Sequence, residues 1–421
     1  ARTALFNYLS AKKRKGKLVL RIEDTDKARS NKVFVKNILE SLSWLGLSWN
    51  EGPFFQSKRL KIYQRYLRVL VKKGLAYQRE GAWWFKVGEV KEGEVRFLDL
   101  IRREISFPLE EIKDFVLFKK DKNPTFLFAG AIDDLEMKIS CVVRGEDHIS
   151  NTPRQILLYR ALGAKLPSFA HLPLILAPEK TKLSKRTGAI GVLDYRKTGY
   201  LPEALLNFLA LLGFHPEEES QKEVFSLKKL VSTFDIKKVQ KSASIFDINK
   251  LNYLNAYYIR QLPSRQYLSQ LGEWLKRWGG SEKNVLRKPF FSQAALSVQD
   301  RLTFWGEFGQ LAHFYLERPK IQNVQKLVFK KSDQKLTLRG LITALDLLQE
   351  TGAALWKSPA LLARLLKKAV KEANLSPGDV FWPVRYALSG EEASPPPQVL
   401  LSVLGKKESL IRIKKSIDLL E

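Results

Sequence analysis

The stretch KISCVVRGEDHISNTPRQILLYRALG, residues 138–163, sets two periodicities back to back. Its first part is short, apolar and rich in β-branched residues, the pattern of a buried strand. After Arg144, Gly145, Glu146 and Asp147 the spacing becomes that of a helix, capped near Ser150 or Asn151 and closed by Gly163. A strand that feeds a helix through a charged loop is the repeating unit of an open α/β sheet, and such sheets bind ligands in the crevice beyond the carboxyl ends of their strands. Arg144 stands at that position. A guanidinium there suits a bidentate grip on a carboxylate or phosphate, and Asp147 at the helix entrance can accept from a ribose or adenine group. The same residues also read as a surface Arg–Asp pair beside a helix cap.

Outward from this stretch the same rhythm continues. On the N-terminal side, ARTALFNYLSAKKRKG reads as an amphipathic helix with Leu5, Tyr8 and Leu9 on one face. KLVLRIEDTD then reads as a strand running into acids, and helical patterns are expected over residues 32–46 and 57–74. From residue 83 to about 130 the texture changes to short strand-like pieces, AWWFKV, EVRFLDL and DFVLFKK, separated by Gly, Lys and Asp turns. On the C-terminal side HLPLILA reads as a further strand. From residue 202 onward the patterns are helical, from PEALLNFLALLG with proline in its first turn to helices broken by loops such as ASPPPQ. The expected fold is an α/β sheet interrupted by a strand-rich insertion and followed by an all-helical extension.

Composition narrows the function classes. The 421 residues suffice for two to four domains, and 72 Lys+Arg against 44 Asp+Glu give a net charge of +28 spread over the whole length. A polyanionic partner is the first expectation, nucleic acid rather than membrane, because the aromatic residues do not gather on one amphipathic face. Cys141 is the only cysteine, which excludes an intrachain disulfide and a thiolate-rich zinc site. His148, His171, His215 and His313 show no paired metal-ligand spacing. No apolar run approaches a bilayer span, the first residues resemble no targeting peptide, and a reducing cytoplasm is the expected compartment.

Two further clusters carry candidate chemistry. The segment LAPEKTKLSKRTGAIG, residues 176–191, packs Lys182, Lys185 and Arg186 around Ser184 just before a glycine-rich turn. Neither of the two commonest phosphate-cradling glycine motifs occurs in the chain, so a nucleotide would need another device. Lysines on a mobile loop can meet the charge that develops on a departing pyrophosphate; a solvated basic loop is the alternative. In RIEDTD, residues 21–26, Glu23 can hold a substrate ammonium, or the acids form a loop that binds nothing. All three clusters follow strands, and the order suggests strands of one sheet converging on one site.

ALFNYL, RIEDTD, VVRGEDHISNTPRQILLYRALG, FAHLPLILAP, KLSKR and GYLPEALLNFLALLGF together resemble, in family order, the bacterial-type glutamyl-tRNA synthetases, which are class I aminoacyl-tRNA synthetases. The likeness extends through residues 224–262 and resumes at VRYALSGEEASPPPQVLLSVLGKKESL. It implies a Rossmann-type catalytic domain split between residues 1–70 and 131–180, a shortened acceptor-stem-binding insertion at 71–130, a stem-contact domain at 181–261 and a helical anticodon-binding domain at 262–421. It implies ATP and Mg²⁺ as cofactors without zinc, and L-glutamate and tRNA(Glu) as partners of a monomer. Lys182, Ser184 and Lys185 would be catalytic, Lys185 above all against the leaving pyrophosphate. Asp147, Ile175, Lys182, Leu183, Ser184, Lys185 and Arg186 would bind ATP. Glu23 would hold the amino group of glutamate and Arg144 its side-chain carboxylate.

The chain also departs from that family. A His-containing signature that packs against ATP is expected just before Ala1 and is not in these residues, so the chain as given is expected to lack activity. Phe126 stands where the family usually has Tyr and Gly130 where it often has Asn, two residues that face the amino acid. Leu183 replaces a frequent Met with little change of volume. The alternative function is a catalytically inactive tRNA-binding homologue.

Overall fold

The computed structural model describes residues 1–25, 31–89, 93–183, 190–216 and 222–421. Ser184, Lys185 and Arg186 lie outside the described residues. The chain divides into two compact units, residues 1–196 with 202–254, and residues 197–201 with 255–421.

The first unit opens with α1 (Arg2–Lys13) and β1 (Val19–Ile22), followed by α2 (Lys32–Trp44), β2 (Glu51–Phe55) and α3 (Leu60–Lys72). The Asn31 side chain caps α2 by accepting from the Val33 N–H. On α1 the buried apolar residues are Leu5, Phe6 and Leu9, with Tyr8 only half-buried. The expected Leu5–Tyr8–Leu9 face is therefore turned by part of a helical step, because Phe6 packs edge-on against Phe234 at 5.4 Å. Arg2 is buried on the same helix, where its guanidinium donates to the carbonyls of Leu212 and Pro173.

The strand-rich stretch holds β3 (Ala76–Arg79), β4 (Ala82–Phe85), β5 (Glu94–Asp99), β6 (Arg103–Pro108) and β7 (Phe115–Phe118). The rest of the unit comprises α4 (Phe126–Glu136), β8 (Cys141–Gly145), α5 (Thr152–Leu162), β9 (Ser168–Leu172), β10 (Ile175–Leu176), α6 (Val192–Thr198), α7 (Pro202–Leu211), α8 (Leu227–Thr233), β11 (Ser244–Ile245) and the start of α9 (Ile248–Gln261). Strands β3, β4 and β7 form an antiparallel sheet of their own. The β5–β6 hairpin instead joins β9 and β8 in a four-stranded sheet, through Asp99 opposite Phe169. One core runs under both: Tyr63 and Leu67 of α3, Phe85, Val95, Leu117, Phe128 and Ile132 of α4, Ile156 and Leu157 of α5, and Phe169.

Two expectations about strands are corrected. HLPLILA is not one strand but two, β9 ending at Leu172 and β10 beginning at Ile175, since Pro173 has no N–H to give to a ladder. The three charged loops do not follow strands of one hydrogen-bonded sheet: β1 pairs with β2, β8 with β9, and β10 with β11. β1 and β8 share no ladder and face each other across a cavity; β8 is tied instead to α1, where Asn7 Nδ2 donates to the Val143 carbonyl at 2.9 Å.

The second unit is helical in all its regular described elements beyond α9: α10 (Ser264–Trp278), α11 (Phe291–Val298), α12 (Phe308–Leu316), α13 (Gln334–Glu350), α14 (Pro359–Glu372), α15 (Pro377–Ser389) and α16 (Pro397–Asp418), with short 3₁₀ turns between. Ser376 and Asp379 form a capping box at the start of α15. Gly405 kinks α16, with φ 74° where a side chain is disfavoured. No described helix is long and apolar enough to cross a membrane.

Candidate active site

A cavity of about 440 Å³ opens between β1 and β8, and Glu23, Phe126, Gly130 and Arg144 all line it together with Arg21, Asp134, His148 and Gln155. Four residues that the sequence places more than a hundred positions apart at the extremes thus share one wall. Three elements deliver them: Glu23 follows the end of β1, Phe126 and Gly130 come from the first turns of α4, and Arg144 from the last residues of β8.

The cavity is organised by charge. Arg21 Nη1 donates to Asp134 Oδ1 at 2.7 Å and Nη2 to Glu23 Oε1 at 3.3 Å. Burial pushes the Arg21 guanidinium down, but Asp134, Glu23 and Asp133 together raise it above its ordinary value. Asp133, fully buried behind it, accepts from Gln56 Nε2 at 3.0 Å, Arg59 Nε at 2.7 Å and Tyr63 Oη at 2.8 Å, which clamps α4 to α3 and to the turn before it. Burial raises Glu23 and Asp134, against the pull of Arg21 on both. Burial lowers Arg144, which the carboxylate of Asp134 partly offsets. The cavity thus presents two guanidinium groups, Arg21 and Arg144, and two carboxylates, Glu23 and Asp134, so that a charged amino acid can meet groups of both signs there.

Phe126 is 41 % exposed, and its ring lies 5.5 Å from that of His148. Gly130 leaves α4 bare where Gln155, 4 % exposed, brings its amide nitrogen to 3.7 Å from the position a Cβ would take. Arg144 is held from behind, Nε donating to His171 Nε2 at 3.1 Å and Nη2 to Thr152 Oγ1 at 2.7 Å.

The residues expected to meet a nucleotide are gathered elsewhere. Asp147, Ile175, Lys182 and Leu183 are not part of the cavity lining but meet around the hairpin that starts at β10. Lys182 Nζ reaches Asp147 Oδ2 at 3.0 Å and holds that carboxyl below its ordinary range. The Asp147 carboxylate folds back over Gly145, where a Cβ would come within 2.4 Å of Oδ1 and would push that exposed side chain aside. The Ile175 carbonyl accepts from the Leu183 N–H at 3.0 Å, and the other edge of β10 is paired with β11. Glu146 turns away to bind Arg102 and the Leu174 N–H. Arg144 and Asp147 are three residues apart, so an amino-acid pocket and the expected nucleotide hairpin adjoin at one loop.

Sequence reasoning did not single out Asp134, Gln155, Thr152, Asp99 or His171. A signal existed for two of them: Asp134, with Asp133, interrupts the apolar FLFAGAIDDLE, and His171 interrupts an apolar strand. For Gln155 and Thr152 none existed, since both sit in an unremarkable helix start.

An amino-acid-sized charged cavity thus lies at the carboxyl end of a parallel strand, beside a lysine-bearing hairpin, in a chain that continues into a helical unit. The family description "tRNA synthetases class I (E and Q), catalytic domain" matches residues 1–83 and 84–253, and "Anticodon binding domain" matches residues 266–417. The chain belongs to the class I glutamate and glutamine tRNA synthetase family. It is 34 % identical to the glutamate–tRNA ligase of Thermodesulfovibrio yellowstonii over 99 % of this chain and 96 % of that one. It is 36 % identical to glutamate–tRNA ligase 2 of Thermosipho melanesiensis over 100 % of this chain and 95 % of that one. A crystal structure of a glutamate tRNA ligase from Elizabethkingia meningosepticum in complex with its amino acid superposes with a TM-score of 0.87 at 28 % identity, covering 100 % of this chain and 96 % of that one.

Proposed function

We propose that this chain activates L-glutamate with ATP and transfers it to the 3′ end of tRNA(Glu). The observation that carries this reading is the convergence of Glu23, Phe126, Gly130 and Arg144 on one cavity with the charge pattern of glutamate. Glu23 takes the ammonium and Arg144 the side-chain carboxylate, which leaves the α-carboxylate toward the loop of Asp147. There its oxygen attacks the α-phosphorus of ATP; the new carboxyl–phosphorus bond forms as the bond to the pyrophosphate oxygen breaks. Lys182 and Lys185 offset the charge growing on that leaving group, with the Ser184 hydroxyl as a donor and Leu183 and Arg186 completing the loop. Asp147 and the Ile175 backbone hold the nucleoside. In the second step a hydroxyl of the terminal ribose displaces AMP.

Magnesium would accompany the phosphates of ATP and neutralise part of their charge. Residues 71–130 are assigned to the acceptor stem, 181–261 to further stem contact and 262–421 to the anticodon.

The test is charging of tRNA(Glu) with labelled glutamate, together with ATP–pyrophosphate exchange in the presence of that tRNA, by the chain carrying the family's His-containing segment ahead of Ala1. Arg144→Ala should raise the glutamate KM by about a hundredfold, the weight of a buried charge-assisted pair, while the ATP KM changes little. Lys185→Ala should cut kcat by about a hundredfold with tRNA affinity retained. Tight tRNA binding without any charging would instead identify an inactive homologue, and parental charging by Lys185→Ala would remove the role given to the loop.

A further inference from the structure

We propose that Asp99 and His171 are positioning residues for Arg144, fixing which edge of its guanidinium meets the substrate. The inference rests on Arg144 as the partner of the glutamate side chain. Asp99, His171 and Thr152 are all fully buried, and none lines the cavity. They come from three elements, the end of β5, β9 and the first residue of α5, and they are bonded to one another behind Arg144, His171 reaching Asp99 through Nδ1 and lying 3.0 Å from Thr152 Oγ1 through Nε2.

The protonation pattern follows from donor and acceptor counting. Every guanidinium nitrogen is a donor, so the contact between Arg144 Nε and His171 Nε2 at 3.1 Å requires a lone pair on Nε2. The imidazole proton then sits on Nδ1, which lies 2.7 Å from Asp99 Oδ2 and donates to it. Asp99 itself cannot swing. Its Oδ1 accepts from the N–H groups of Ile101 at 2.9 Å and Arg102 at 2.8 Å, and its Oδ2 from the His171 N–H at 3.1 Å. Burial pushes the Asp99 carboxyl up, but His171 and those backbone donors together hold it below its ordinary value, so it stays an acceptor throughout. The rings of Phe97 and Phe169, each 6.4 Å from that of His171, close the remaining sides with apolar surface.

The chain of bonds has a geometric consequence for Arg144. Its side edge, formed by Nε and Nη2, is occupied by His171 and Thr152. A carboxylate must therefore dock on the end edge, formed by Nη1 and the outer hydrogen of Nη2, in one orientation. Were the His171 proton on Nε2, two donors would face each other and the guanidinium would have to turn.

Asp99→Asn tests this directly. The variant's amide oxygen can still serve the Ile101 and Arg102 N–H groups, and also the His171 N–H, which lies 3.3 Å from Oδ1; this turns the amide NH₂ toward His171 Nδ1 and drives the ring proton to Nε2. The expected result is a glutamate KM raised roughly ten- to a hundredfold, with the ATP KM unchanged and the thermal midpoint of the variant monitored alongside. Imidazole nitrogen NMR on the parent supplies a readout independent of folding in the variant and of activity: His171, one of only four histidines, should show a protonated Nδ1 and an unprotonated Nε2. A parent His171 carrying its proton on Nε2 would overturn the proposal. So would an Asp99→Asn variant with parental glutamate KM beside a sensitive Arg144→Ala. An Arg144→Ala variant indifferent to glutamate would instead remove the assignment of Arg144 beneath it, and the positioning role with it.

Discussion

Gly130 sits inside α4 with helical backbone, and the nearest atom a Cβ would meet is Gln155 Nε2 at 3.7 Å, an ordinary van der Waals distance. Nothing in the packing demands glycine there, while a glycine in a helix interior leaves the unfolded chain more freedom to lose. Gly130→Ala should therefore stabilise the protein by about 0.5–1 kcal/mol, read as a higher urea midpoint at unchanged slope. A destabilised variant would mean that the bare helix face is needed for packing and is not simply space opened over Gln155. At this scale the sequence was informative wherever chemistry is local. Arg144 and Asp147 could be read because a strand end and a helix entrance lie within a few residues of each other. Gly163 closes α5 in the left-handed region for the same reason, at φ 66°. The cradle of Arg144 could not be read, because Asp99 and His171 are 72 residues apart and their hydrogen bond exists only once β5 and β9 pair.

Elements were legible by period and illegible by partner. The patterns for α2, α5 and α7 emerge as helices because each carries its own cap or its own apolar face. Which sheet a strand joins is decided by long-range pairing, and so the β5–β6 hairpin, read as part of a separate insertion texture, edges the sheet of β8 and β9. The same dependence governs α16. Its Glu408 is gripped by Arg318 through two bonds of 2.9 Å and by Arg412 Nε at 2.8 Å, and Arg412 in turn donates to the carbonyls of Phe314 on α12 and Leu388 on α15. Hydrogen bonding from Arg318, opposed by burial and reinforced by Arg412, holds the Glu408 carboxyl down to about 2 from an ordinary 4.5. A carboxyl depressed in the folded state stabilises it above the unfolded value and loses that contribution as pH falls through the folded one. With its side chain 27 % exposed, Glu408 contributes on the order of 2 kcal/mol at neutral pH, and the loss falls between about pH 4.5 and pH 2. Glu408→Gln should lower the urea midpoint at pH 7 and flatten its fall between pH 5 and pH 3, as followed by circular dichroism. A variant with the parent's full acid sensitivity would show that other carboxyls dominate the helical unit.

For the whole molecule the dominant quantity is the net charge of +28. Surface lysines and arginines that neutralise phosphates release counterions, so tRNA affinity should fall about a thousandfold or more between 50 and 200 mM monovalent salt if six or more phosphates are engaged. The glutamate cavity obeys a different rule. Arg21 and Asp134 are largely shielded from solvent and Arg144 is half-buried, with Glu23 at the exposed rim, and charges so placed are screened less than fully exposed ones. The two substrates should therefore separate on one axis: over that salt range the tRNA KM rises steeply, while the glutamate KM at saturating tRNA stays within about twofold. Parallel rises in both would place the recognition of glutamate on an exposed, screened surface and would contradict the buried cavity as its site. A flat tRNA KM would show that the positive charge serves solubility and takes no part in binding the nucleic acid.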